Sequence, residues 1–227
     1  MEVPIFRPVD DDNFPNVPCS YYSPDNLNSH VSKYKNRSFS MINFNIRSCR
    51  KNFASFLAFI SLISINFSII VLCETWLNAN IDYGFEMDNY NQFNIYRNSM
   101  GGGIKILCDS SLRVKMLNEY SFISGVFEIL TLSVIGSNFT YLICAVYRPP
   151  SASISQFNDM FFENILNRLP NNSQLIVTAD ININLLNPNN LNSISDLSTI
   201  CYLIIYFQLY QYLQDSIQIQ MQLIDIL

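Results

Sequence analysis

The sequence predicts an α/β domain with sheets in the middle and helices packed outside, on three observations. Two β-branched apolar runs, "IIVLC" (69–73) and "LIVTA" (175–179), show no alternation and so read as strands covered on both faces. Two other stretches place apolar residues at helical spacing, and a succession of strand-length segments lies between them. The order strand, helix, strand, several strands, helix, strand suits a layered sheet core clad in helices.

The elements follow in chain order. Residues 1–37 are polar and proline-dotted without a sustained period, and are expected to form a poorly ordered lead-in, with the fold beginning at Ser38. "FSMINFN" (39–45) is a short strand ending in polar residues. The uncharged stretch from Asn52 to Cys73 has the length of a membrane-spanning helix. Its first half carries Phe53, Phe56, Leu57, Ile60 and Ile63 at helical spacing, whereas its second half is β-branched, with Asn66 at the junction. A helix followed by a buried strand explains that break, and no membrane partner is expected. "FNIYRN", "GGGIKILC", "VFEILTLSVI" and "FTYLICAVY" supply the middle strands, and residues 155–169 an amphipathic helix with Phe157, Phe161, Ile165, Leu166 and Leu169 on one face. The strand "QLIVTA" (174–179) comes after a Pro-Asn-Asn turn.

At 227 residues and 49% hydrophobic content, one folded domain is the expectation. The formal charge of −5 lacks the overall basic footprint of a general nucleic-acid binder, so any polyanion has to be met locally. Arg47, Arg50 and Lys51, together with Arg97, Lys105 and Arg148, are the local candidates. The six cysteines form no C-x-x-C pair, and Cys73 and Cys144 lie inside apolar runs, which points to buried thiols in a reducing, intracellular setting.

The chemistry sits where the two buried runs stop, at Glu74 and Asp180. Polar groups at such strand ends converge on one rim of a sheet, where two carboxylates can hold Mg²⁺, or Mn²⁺ in its place, with water and substrate phosphate completing the shell. "FNIRS" (44–48) adds the Asn45 amide, and "DIN" (180–182) sets Asp180 and Asn182 on one side of an extended chain. An acid after a strand is also a common loop residue or helix cap, so the joint pattern carries the reading.

That pattern resembles the endonuclease/exonuclease/phosphatase family. "FNIRS", "CETWL" (73–77), "GGGI" (101–104), "YRPP" (147–150), "ADIN" (179–182) and "LIDIL" (223–227) occur in the family's order over residues 38–227. They are most similar to the apurinic-type endonuclease domain of non-LTR retrotransposons of the jockey and CR1 kind. The resemblance implies a four-layer α/β/β/α sandwich of two mostly antiparallel sheets that nicks DNA with Mg²⁺, in a full-length element followed by a C-terminal reverse transcriptase and acting in the nucleus. It implies Glu74 as metal ligand, with Asn45 helping to fix metal or phosphate. Tyr147 lies against the scissile phosphate, Arg148 contacts phosphate, Asp180 orients or deprotonates water, and Asn182 holds a phosphate oxygen. Asp225 matches the acid that supports a catalytic histidine.

Two residues draw separate expectations. Trp76 is expected to pack beneath the site rather than stack on a base, and Gly101–Gly103 to form a tight turn into a strand rather than a phosphate cradle. The family's final Ser-Asp-His-type strand has no counterpart before Leu227, and the single histidine, His30, precedes the first strand. The chain is therefore expected to be a truncated or decaying endonuclease domain, its last strand or strands missing and its activity weak. A phosphatase-type member and a non-catalytic remnant stand as alternatives.

Overall fold

A computed structural model of the chain describes residues 28–29, 39–97, 101–135, 140–168, 174–182 and 205–207. The remainder of the expected lead-in, and the region of "LIDIL" with Asp225, lie outside the described residues.

Two sheets stack face to face. The first has the order β1 (Met41–Asn45), β2 (Ile69–Cys73), β4 (Ile104–Asp109), β3 (Tyr90–Ile95), with β1 and β2 parallel and the other pairings antiparallel. The second runs β10 (Ile205–Phe207), β9 (Gln174–Asp180), β8 (Thr140–Tyr147), β7 (Glu128–Ile135), β5 (Arg113–Met116), with β6 (Phe122–Ile123) also on β7. Here β8, β9 and β10 are mutually parallel, so both sheets are mixed, and antiparallel pairings hold only a modest majority.

Helix α1 (Cys49–Ser61) covers the first sheet and α2 (Ile154–Phe161), which widens into a π-helical turn over Phe162–Leu166, covers the second. Strand alternation sorts the core into layers. Ile69, Val71 and Cys73 of β2 meet Leu130, Leu132, Ile143 and Ala145 between the sheets, whereas Ile70 and Leu72 turn to Phe53, Phe56 and Ile60 of α1. On the far side Ile129, Cys144, Val146 and Val177 pack on Phe157 and Phe161 of α2, with Phe127 edge-on to Phe157 at 5.3 Å. This is the four-layer α/β/β/α sandwich, and it explains why β2 and β8 are apolar almost throughout: both faces are buried.

The stretch from Asn52 to Cys73 is a 13-residue helix and a strand, and among the described residues no helix is long and apolar enough to cross a membrane. Asn28, from the expected lead-in, accepts from Ser64 and donates to the Leu62 carbonyl at 2.6 Å, closing the C-terminal end of α1.

Candidate active site

One end of the sandwich gathers the carboxyl ends of β1, β2, β8 and β9, where open α/β sheets place their ligands. Register does the gathering. Asn45 pairs with Cys73, Tyr147 with both Glu128 and Asp180, and Cys73 with Ile104, so the polar residues flanking these pairs share one rim.

At this rim the Asn45 amide joins the two sheets. Its Nδ2 donates to Glu74 Oε1 and to Asp180 Oδ2, each at 2.7 Å, while its Oδ1 accepts the Arg47 backbone N–H at 3.1 Å. Tyr147 adds a hydrogen bond to Glu74, and its phenol is pushed well above the ordinary tyrosine range by burial first and then by the charges of Glu74, Asp180 and Glu128. The result is a chain Tyr147–Glu74–Asn45–Asp180 that holds two carboxylates close without direct contact. The resemblance gives Asn45 a part in fixing metal or phosphate. Both its amide hydrogens and its oxygen are engaged within the protein, so here it is a bridge that orients the acids.

Backbone strain marks the same place. Of the six non-glycine residues with positive φ among the described residues, Arg47, Ser48, Glu74, Trp76 and Asn182 all lie at this rim. The left-handed turns at Glu74 (φ 54°) and Trp76 (φ 53°) are held by main-chain bonds on both sides. Ser48 N–H and Cys49 N–H donate to the carbonyls of Glu74 and Thr75, and Thr75 N–H and Trp76 N–H donate to those of Gly103 and Gly102. The glycine run is thus a tight turn into β4, as expected, all three glycines having positive φ.

Three further residues lie in other surroundings than the sequence suggests. Arg148, expected at the phosphate, is 2% exposed. Its guanidinium donates to the carbonyls of Ile181 (2.6 Å), Pro149 (3.3 Å), Asn182 (2.9 Å) and Ala152, and burial lowers its pKa. Asn182 does not share an extended face with Asp180, because its φ of 50° turns the chain and its Nδ2 donates to the Arg148 carbonyl at 2.8 Å. Trp76 is 44% exposed, because the left-handed turn leaves Thr75 and Leu77 to fill the interior.

Of the other cations, Lys105 is buried in an ion pair with Asp82 at 2.8 Å, whereas Arg47, Arg50 and Lys51 are exposed where β1 leads into α1. Cys73 and Cys144 are buried thiols as expected, burial raising the latter to about 12.

A residue not singled out from the sequence also belongs to the rim. Glu128 is fully buried, accepts the Gly103 N–H at 2.6 Å and lies 3.5 Å from Arg97. Burial raises its pKa above the ordinary 4.5; the Gly103 bond and Arg97 oppose this and Glu74 adds to it. The folded state therefore holds this proton more tightly than the unfolded chain does. That stabilisation is complete below the unfolded value and is lost as pH rises through the folded one. The melting temperature of Glu128→Gln should accordingly gain on that of the parent as pH rises above the ordinary value of 4.5, and a difference that stays constant with pH would contradict the assignment.

The donors at the rim are oxygens. Among the described residues no group of three or more His, Cys, Asp or Glu could hold an ion. Glu74 and Asp180 supply carboxylate oxygens, the donor type that hard divalent cations take.

Solved structures share this architecture. The chain is similar to the endonuclease domain of TRAS1, a telomere-specific non-LTR retrotransposon, with a TM-score of 0.50 and 11% identity over 72% of this chain and 71% of that one. The chain has the endonuclease/exonuclease/phosphatase fold. Similarity extends to humanized D. rerio TDP2 (TM-score 0.49, 17% identity, 68% and 66% of the two chains). It extends also to the 3′-5′ exonuclease NExo from Neisseria meningitidis (0.49, 13%, 64% and 59%). No family model and no curated protein matches the sequence. At such identities the likeness is one of fold, which does not by itself set the chemistry of the rim.

Proposed function

We propose that this chain is a divalent-metal-dependent phosphodiesterase domain that nicks DNA in the manner of a non-LTR retrotransposon endonuclease. The observation that carries the proposal is the hydrogen-bonded chain Tyr147–Glu74–Asn45–Asp180 spanning both sheets at a strained rim. The fold it shares with the TRAS1 endonuclease domain supports the reading.

Glu74 is the residue that would hold Mg²⁺ or Mn²⁺, which when bound would offset charge on the leaving oxygen. Asp180 orients the attacking water and takes its proton while the phosphorus–oxygen bond to the leaving group breaks. Tyr147, kept neutral by its surroundings, steadies the Glu74 carboxylate, and Asn45 sets the spacing of the acids. Asn182 would hold a phosphate oxygen only through the second hydrogen of an amide that already donates to the Arg148 carbonyl. The exposed Arg47, Arg50 and Lys51 beside Asn45 offer the local positive surface that the acidic chain otherwise lacks, and they fit a DNA backbone. The natural setting in this reading is the nucleus, beside a reverse transcriptase in the full element.

Incubation of purified chain with supercoiled plasmid should show Mg²⁺-dependent and EDTA-sensitive conversion to open circles. Intact plasmid with either metal overturns the proposal, and release of phosphate from a soluble ester instead would move the chain to the phosphatase reading.

A further inference from the structure

Glu128 is a carboxylate buried in β7, far in sequence from every motif at the rim. Leu130, Leu132 and Val134 follow it on the same face of the strand and pack between the sheets, so the acid occupies a position where the pattern calls for another aliphatic side chain. A buried carboxylate is costly to keep unless it does something an apolar residue could not.

What it does is visible in its bonds. Glu128 Oε2 accepts the Gly103 N–H, and its Oε1 faces Arg97. Gly102 and Gly103 then turn their carbonyls to Trp76 N–H (3.0 Å) and Thr75 N–H (3.2 Å), the residues directly after Glu74. A Cβ on Gly102 would run into Glu128 Oε1, so the acid and the glycine bend are fitted to each other. The segment Glu74–Trp76 takes two left-handed conformations that non-glycine residues hold only when the surroundings impose them.

We infer that Glu128 is a positioning residue for the metal-holding acid: it anchors the Gly102–Gly103 bend, whose carbonyls hold Glu74 in its strained conformation. The inference rests on the proposed role of Glu74 but concerns a different residue and a different bond. Because the anchor works through an accepting oxygen, Gln should serve in place of Glu128 and Ala should not.

Trp76 is the only tryptophan and is itself held by the bend, so its fluorescence reads the anchor without any cleavage assay. The experiment compares the full chain with Glu128→Ala, Glu128→Gln and Gly102→Ala, each first checked for folding by circular dichroism. Acrylamide quenching of Trp76 and Mn²⁺ affinity by calorimetry are then measured. Gly102→Ala keeps the carboxylate but presses on it and strains the bend at φ 71°, so it tests the bend even if Glu128→Ala fails to fold, and the contrast of Gln with Ala at Glu128 assigns the effect to the acid.

Glu128→Ala and Gly102→Ala should raise the quenching constant and weaken Mn²⁺ binding by about 10 to 100-fold, as loss of an outer partner of a metal ligand commonly does, with Glu128→Gln close to the parent. Folded Gly102→Ala with parental quenching and affinity overturns the inference, as does Glu128→Gln matching Glu128→Ala. A parent chain that binds no Mn²⁺ would defeat the metal reading of Glu74, and the quenching comparison would still decide the anchor.

Discussion

Glu74→Gln should reduce plasmid nicking by about a thousandfold relative to the parent while leaving the fold intact. The magnitude follows from the several kcal/mol by which a bound ion stabilises developing charge, since about 4 kcal/mol corresponds to roughly three decades in rate. Glutamine keeps one oxygen for the 2.7 Å bond from Asn45, but its amide cannot serve as an anionic ligand and places an N–H near the donors that Glu74 now satisfies. Because Glu74 is only half-buried at the rim, the change in stability should stay within about 1 kcal/mol. Initial nicking rates at several Mg²⁺ concentrations, paired with thermal melts, separate the two effects. Rates equal to the parent across the series would remove Glu74 from the chemistry.

The parts legible in the sequence are those where one physical cause acts alone. β2 and β9 were readable because both faces are covered, which leaves a β-branched run with nothing polar to interrupt it. The split of residues 52–73 into helix and strand was legible because helical spacing gives way to a β-branched block, and α1 does bury Phe53, Phe56 and Ile60. β5 was missed, since "RVKM" is four residues of alternating exposure on a short strand, and β6 has only two.

At the rim, the identity of Glu74 and Asp180 was legible but their surroundings were not. Side-chain direction there depends on positive φ at Glu74, Trp76 and Asn182, and none of these is a glycine that would advertise the turn. That is why Trp76 was expected inside and Asn182 beside Asp180. Glu128 did leave a signal, a lone acid in phase with the inward residues of "VFEILTLSVI", which marks a buried carboxylate in need of a partner. The amide of Asn45 is visible in the sequence, but its bond across the sheets joins residues 135 positions apart and depends on how the sheets stack.

Arg148 separates a structural from a DNA-binding role most sharply. Arg148→Ala should lower stability by about 3 kcal/mol or more, because four backbone carbonyls lose a buried charged donor and their desolvation is no longer offset. For a domain of this size that corresponds to a fall in melting temperature of about 6 to 12 °C. Arg148→Lys should recover little of it, since a single ammonium cannot reach Ile181, Asn182 and Ala152 with the fork geometry of a guanidinium. A phosphate-contacting arginine would behave in the opposite way: either substitution would leave melting unchanged, and lysine would keep much of the salt-dependent affinity for DNA. The reason the fold invests a buried guanidinium here lies in what it bonds. Ile181 and Asn182 directly follow Asp180, and Arg148 directly follows Tyr147, its own N–H donating to the Asp180 carbonyl at 2.9 Å. Arg148 thus ties the ends of β8 and β9 together at the residues that carry the chemistry, and its loss should disorder Asp180 before it unfolds the sheet. Nicking at temperatures well below the melt should therefore already be impaired in Arg148→Ala, whereas full activity there would leave Arg148 a role in stability alone.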